Sequence, residues 1–426
     1  MKVGREEGIT ARCPRCNEWH PGALTEVEGQ LWLQIACPRG SYRSLHSSDA
    51  DLFTRLRAMG GGSPDFRPRP RIAVLEVTDA CDLACPLCYA SASAAGRWFL
   101  PLGEALRRGA ELRRAGGRWI TLTGGEPTCH PHLPAIIRGL RRLGLAPAIA
   151  SNGLRLGGDP GYLAELKRAG LRRVLLQFDT LRPDTYRRLR GRDDPTEKER
   201  SARAIIAAGL RLGLIMTVSE WNLEEVGAVV AFGRSLLPDV NTVVLQSAVP
   251  TGRFPVDLPG AVDRERIINQ LVRTLPKAEL SAADFFPPPV YRPWGMAVHP
   301  DCSATAILAE EGANLVPLTR GIDVARLYRD FANSRKGAGF IPSWVLPTLT
   351  LVRSTTGGER LRVLSGLFGV MTPRSPVAPL IVTIGRYLHP GYRDSDRLGR
   401  CSSCFVEANG RSGICERLTG GACLPS

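Results

Sequence analysis

Between residues 71 and 275 the chain alternates between short apolar runs and amphipathic helical stretches, and this rhythm restricts the fold more than any other feature. The runs 72–78, 118–123, 147–151, 173–178, 212–218 and 241–246 read as strands. Helical periodicity occupies 101–115, 133–144, 161–169, 196–208 and 222–236. Strands joined through helices pair in parallel, because the crossover returns the chain to the same end of the sheet. Six such units in series predict an α/β fold, a partial (β/α)6 barrel over 70–275. Sites in folds of this kind lie at the C-terminal ends of the strands.

Chemistry-bearing residues fall at those ends. After the first strand stands Cys81-Asp-Leu-Ala-Cys85-Pro-Leu-Cys88-Tyr89. Three cysteines spaced C-x3-C-x2-C can hold three irons of a [4Fe–4S] cube and leave the fourth open to a small molecule. Zinc ribbons use two C-x2-C knuckles and ferredoxins a regular fourth cysteine, so neither pattern matches. Gly124-Gly125-Glu126-Pro127 closes the second strand, a turn in which backbone and a carboxylate can approach a cationic amine. Ser151-Asn152-Gly153 ends the third strand and Gln177-Phe178-Asp179 the fourth. Ser151, Asn152, Gln177 and Asp179 are candidates to orient a bound cofactor, with plain turn or strand-end polarity as the alternative.

Two further units flank the barrel. Residues 1–65 end in Gly60-Gly-Gly-Ser-Pro-Asp-Phe-Arg-Pro-Arg-Pro70, a linker by composition. They carry Cys13-Pro-Arg-Cys16 and Cys37-Pro38 around the strand-like Gln30-Leu-Trp-Leu-Gln-Ile. This resembles a zinc-ribbon or rubredoxin-like site for zinc or mononuclear iron, with His20 or His46 as a fourth ligand. From 276 to 426 the alternation stops and the chain reads as an irregular C-terminal domain. Cys302, Cys401, Cys404, Cys415 and Cys423 exceed what one cube needs and predict at least one auxiliary Fe–S cluster. Cys129 has no sequence neighbour and reads as a structural thiol. The apolar, arginine-dotted stretch 340–372 reads as core packing, with a membrane surface or greasy channel as the alternative.

Twelve cysteines, no signal-peptide h-region and no continuous apolar run of membrane-spanning length predict a soluble cytoplasmic protein with reduced thiols. The net charge of +15 reads first as arginines spread over solvated helix faces, with an anionic partner as the alternative. Basic runs interleaved with aromatics are absent, so nucleic acid is not favoured.

The cysteine loop followed by Gly-Gly-Glu-Pro resembles the signature of the radical S-adenosylmethionine (SAM) superfamily. More narrowly, Leu176-Gln177-Phe178-Asp179, Leu245-Gln-Ser-Ala-Val-Pro-Thr251-Gly252-Arg253, His299-Pro300-Asp-Cys302 and Val316-Pro-Leu-Thr-Arg320-Gly-Ile-Asp323 look like the tetraether lipid synthase and class D methyltransferase branch. The chain departs from that branch in reading Cys37-Pro-Arg-Gly40 without a histidine, and in having a single cysteine at 302. The resemblance implies that Cys81, Cys85 and Cys88 ligate the SAM-binding cluster. It implies that Gly124, Gly125, Glu126 and Pro127 position the methionine end of SAM, and that Tyr89 lies near adenine. SAM would then be cleaved to a 5′-deoxyadenosyl radical that abstracts hydrogen from an unactivated C–H bond. Carbon–carbon bond formation on a lipid-like or hydrophobic metabolite is the leading expectation. Its alternatives are methylation of a small or heterocyclic substrate, peptide maturation, and a non-catalytic Fe–S scaffold. A flavodoxin or ferredoxin would donate the electron, and peripheral membrane contact would accompany a lipid substrate.

Overall fold

The computed structural model describes residues 3–4, 9–60, 71–288, 298–333, 379–389, 391–401, 403–407, 410–413 and 415. The linker 61–70, the stretch 340–372 and Cys423 lie outside the described residues. The N-terminal unit is an antiparallel sheet of β1 (Val3–Gly4), β2 (Ile9–Arg12), β3 (Trp19–Val27), β4 (Gln30–Cys37) and β5 (Gly40–Ser47), followed by a helix, Ala50–Met59. The barrel strands are β6 (Ile72–Thr78), β7 (Trp119–Gly124), β8 (Ala146–Ser151), β9 (Arg173–Gln177), β10 (Arg211–Val218) and β11 (Val240–Ser247). These pair in parallel in sequence order, as the alternation predicted.

Each strand buries one parity against the outer helices and turns the other inward. Ala73, Leu75, Ile120, Leu122, Val174, Leu176, Leu214 and Leu245 are buried in one continuous core. The residues between them, Val74, Thr121, Leu175, Ile215 and Gln246, line the barrel interior. Helices Leu102–Arg114, Leu133–Arg142, Pro160–Ala169, Thr196–Ala207 and Val226–Ser235 fall within a few residues of their expected bounds. Helices Pro183–Arg190 and Arg264–Thr274 have no counterpart in the sequence reading. Arg187, Arg188 and Arg190 on the short first one obscure its apolar face.

The C-terminal part supplies β12 (Ser303–Glu311), β13 (Asn314–Pro317), β14 (Leu380–Gly385), β15 (Tyr392–Asp394), β16 (Ser403–Glu407) and β17 (Gly410–Gly413). Strand β14 pairs in parallel with β11, and β16 pairs in parallel with β6 at the opposite edge. The segment between them therefore crosses the gap that six strands leave. On the way it places β15 antiparallel to β2, tying the N-terminal sheet to the strap.

Polar pairs, the first of them buried, dock the N-terminal unit on the helix Arg264–Thr274. Ser47 donates to Glu265 at 3.1 Å, Ser48 to Asp263 at 2.9 Å, and Asn269 to Asp49 at 3.1 Å. His46 sits in this seam, edge-on to Phe53 with centroids 5.4 Å apart and tilted on Tyr392 at 5.2 Å. Burial first, then the charges of Arg386 and Arg397, push the His46 imidazole well below its ordinary value. It is therefore neutral in the fold, whereas the unfolded chain protonates it below about pH 6.5. The unfolded state then binds the extra proton, so stability is lost as pH falls through that value. Relative to His46→Leu, wild-type unfolding free energy is expected to drop by up to about 1.4 kcal/mol per pH unit below 6.5. Denaturant titrations across the acid range check this, and parallel curves for the two proteins would contradict it.

Candidate active site

The C-terminal ends of the barrel strands enclose a cavity of about 360 Å³. Cys81, Cys85, Cys88, Tyr89, Gly124, Gly125, Glu126, Ser151, Asn152 and Gln177 all line it. Pro127 and Asp179 stand behind its wall. The three cysteines belong to an open loop rather than a helix, and contacts from other elements fix its course. Cys88 and Arg253 exchange two backbone hydrogen bonds of 2.9 Å. The Arg253 guanidinium donates to the carbonyls of Cys85, Ser91 and Ala92 at 2.5–2.9 Å. Asn152 donates to Asp82 inside the loop at 2.6 Å. Gly252 has φ +63, and a Cβ there would lie 2.4 Å from the Cys88 carbonyl oxygen, so only glycine lets this clamp approach.

Glu126 is almost fully buried and accepts four hydrogen bonds. They come from the Thr128 amide (3.1 Å) and hydroxyl (2.8 Å), the Ser151 hydroxyl (2.8 Å) and the Asn152 amide (2.7 Å). Burial pushes its carboxyl up, and these donors work against the rise. The sequence reading gave this carboxylate to an incoming amine. In the fold its donors are the chain's own, and it fastens the end of β7 to the end of β8. The adjacent glycines leave no room for side chains: a Cβ on Gly124 would lie 2.1 Å from the Thr78 oxygen, and one on Gly125 2.2 Å from the Ala80 oxygen. The turn thus presents backbone to the cavity.

Two buried cations were not foreseen. Arg190 donates to Asp179 and to the Leu87 carbonyl, each at 2.8 Å, and its charge also acts on Cys85. Asp179 in addition accepts from the Thr217 amide at 2.7 Å, so it braces the wall instead of facing the cavity. Lys198 donates to the Asn152 carbonyl and lies 3.4 Å from the Gln177 side-chain oxygen. Both basic residues sit on charge-rich helices, Pro183–Arg190 and Thr196–Ala207, where spacing alone gives no sign of burial.

The three thiols form a soft donor set of the kind that selects Fe–S clusters or thiophilic metals, and the nearby Asp82 carboxylate, 3.9 Å from the Cys81 sulfur, is engaged by Asn152. Burial pushes the Cys81 thiol up to about 12, so an iron would have to displace its proton. The residues fit a cube held at three corners beside a backbone-lined turn.

At the N-terminus, the Cys13, Cys16 and Cys37 sulfurs lie within 4.8 Å of one another at the tips of the β2–β3 and β4–β5 hairpins. His20 brings its Nε2 to 3.1 Å from the Cys16 sulfur, while His46 lies in the seam described above. Backbone N–H groups of Cys16 and Arg15 hold the Cys13 thiol down to about 7. Near the C-terminus, Cys302, Cys401 and Cys415 are close enough for their charges to act on one another. Cys404 is buried in the main core. Tyr387 joins this region to the cavity, which it lines, and its hydroxyl accepts from Gln246 at 2.8 Å.

A thiol-lined parallel α/β barrel with its site at the strand ends is the class that fold and site define. Residues 75–233 match the model of the Radical SAM superfamily, and the chain carries a domain of that superfamily. It is 27% identical to 7,8-dihydro-6-hydroxymethylpterin dimethyltransferase of Methanocaldococcus jannaschii, over 75% of this chain and 71% of that one. It is 37% identical to a GTP 3′,8-cyclase of Acidothermus cellulolyticus, over 29% of this chain and 36% of the cyclase. It is 30% identical to an AdoMet-dependent heme synthase of Methanosarcina barkeri, over 47% and 57%. The chain thus spans less than two thirds of the last two. Among solved structures, SuiB of Streptococcus suis bound to S-adenosylmethionine matches with a TM-score of 0.40 and 16% identity, over 51% of this chain and 55% of that one. Among the described residues no helix is long and apolar enough to cross a membrane.

Proposed function

We propose that this chain forms a carbon–carbon bond at an unactivated carbon of a small or heterocyclic acceptor, as a radical SAM C-methyltransferase or close equivalent. The observation that carries this reading is the extent of the likeness to the pterin dimethyltransferase, which runs well beyond residues 75–233. The substrate side of the cavity suits such an acceptor. Val74, Leu175, Ile215, Val249 and Phe405 supply apolar wall, and the Gln246–Tyr387 pair supplies one polar anchor.

Cys81, Cys85 and Cys88 would hold the cluster, with SAM at its open iron. Bound together they supply one-electron opening of a sulfonium C–S bond and a hydrogen-abstracting radical. The chain's own part is positional. The Gly124–Gly125 backbone and the Ser151–Asn152 turn receive the methionine end, Tyr89 closes over the adenine side, and the apolar wall keeps water and stray hydrogen donors away. Cys302, Cys401 and Cys415 would hold an auxiliary cluster next to Tyr387, and a flavodoxin- or ferredoxin-type donor would deliver electrons.

The test is anaerobic reconstitution followed by SAM, dithionite and methyl-labelled SAM, with a reduced pterin and an isoprenoid lipid offered in parallel. Label in the pterin or a similar heterocycle supports the proposal. Coupled product from the lipid alone would move the assignment to lipid chain joining. Iron uptake without any 5′-deoxyadenosine would leave only a scaffold.

The N-terminal set is proposed as a structural zinc or mononuclear iron site of Cys13, Cys16, Cys37 and His20. Ligand removal should then cost stability rather than chemistry. Cys13→Ala is expected to lose one metal per chain and to melt several degrees lower, with deoxyadenosine formed per SAM-cluster iron unchanged. Metal analysis and thermal melts check this, and a full metal complement in the variant would contradict it.

A further inference from the structure

Arg397 is a buried cation beside the C-terminal cysteines, at 2% exposure. It lies on a one-turn helix, Ser395–Gly399, whose start is capped by Asp394: the carboxylate accepts from the Arg397 amide at 3.0 Å. The capping fixes where the side chain leaves the backbone. Its Nε then donates to the Cys302 sulfur at 3.1 Å, and the far end of the guanidinium donates to the Arg386 carbonyl. Among the described residues no carboxylate comes within ion-pair distance of it.

A buried cation aimed at a neutral thiol is poorly compensated, because desolvating the charge is costly and a thiol sulfur is a weak acceptor. A metal-bound thiolate removes the mismatch. A second donor reinforces the pattern, since the Leu388 amide points at the Cys415 sulfur from 3.3 Å. Hydrogen bonds and positive charge at cluster sulfurs favour the reduced, more negative state and raise its potential.

We propose that Arg397 raises the reduction potential of an auxiliary Fe–S cluster at Cys302, Cys401 and Cys415. The inference rests on the proposed auxiliary site. Tyr387, touching both the cavity and the cysteine region, marks the side on which the two sites adjoin. Arg397 is a positioning residue here, since it touches neither SAM nor acceptor.

The experiment is redox titration of the reconstituted full chain, followed by electron paramagnetic resonance, with iron counted in the same samples. Wild type, Arg397→Gln, Arg397→Lys and Cys302→Ala are compared. Arg397→Gln is expected to keep its iron and to shift the auxiliary reduction equilibrium at least tenfold toward the oxidised form, about 59 mV for one electron. Arg397→Lys keeps the charge but loses the Nε–H donor and is expected to shift less. The SAM-cluster signal should titrate unchanged in both. Equal auxiliary potentials in wild type and every iron-replete variant would overturn the proposal while leaving the site intact. Full iron in Cys302→Ala would instead remove the auxiliary site, and the proposal with it. If Arg397→Gln fails to fold, the Lys variant alone decides.

Discussion

Cys85→Ala is expected to make no 5′-deoxyadenosine above a protein-free control and to carry one cube's worth less iron than wild type. Two remaining thiols cannot fix a cube that already leaves one iron open. Cys85 is buried, and the groups around its loop are an arginine clamp and a carboxylate network that are already engaged. The loop itself should survive the change. Arg253 holds it through the backbone carbonyls of residues 85, 91 and 92, and Arg190 holds the Leu87 carbonyl, none of which needs the sulfur. Iron analysis and product chromatography on the same sample separate the two effects. Undiminished deoxyadenosine would falsify the assignment of this loop.

The second large effect belongs to Glu126. Glu126→Ala leaves four inward donors on Thr128, Ser151 and Asn152 without their acceptor. Each buried donor left unpaired costs on the order of 1–3 kcal/mol, less wherever cavity water reaches it. A net loss of about 4 kcal/mol is expected, together with loss of measurable SAM binding because the β7 and β8 ends no longer hold register. Glu126→Gln keeps one carbonyl oxygen and should fall between the two. Calorimetry for SAM and denaturant melts measure both. A variant of wild-type stability that has merely lost an amine contact would show that the carboxylate faces SAM after all.

A membrane-binding role for 340–372 and a ligand role for Cys423 lie on residues the structure does not describe, and neither supports the proposals above.

How much of this was legible beforehand depends on the range of the interactions involved. The six barrel strands announce themselves because strand periodicity and crossover helices are local, and β6 spans the expected Ile72–Thr78. The cysteine spacing and the Gly-Gly-Glu turn are local too, and they converge on one cavity because parallel strands end on one side. What the tertiary structure alone decided are the long-range partners. Glu126 fastens two strand ends through donors up to 26 residues away. Arg190 and Lys198 became interior because their helices pack on strands that pattern could not rank. Strands β14 and β16 meet opposite barrel edges, a pairing encoded by no local period. Arg397 reaches Cys302 across 95 residues of sequence, and only a folded chain brings a guanidinium to a particular sulfur.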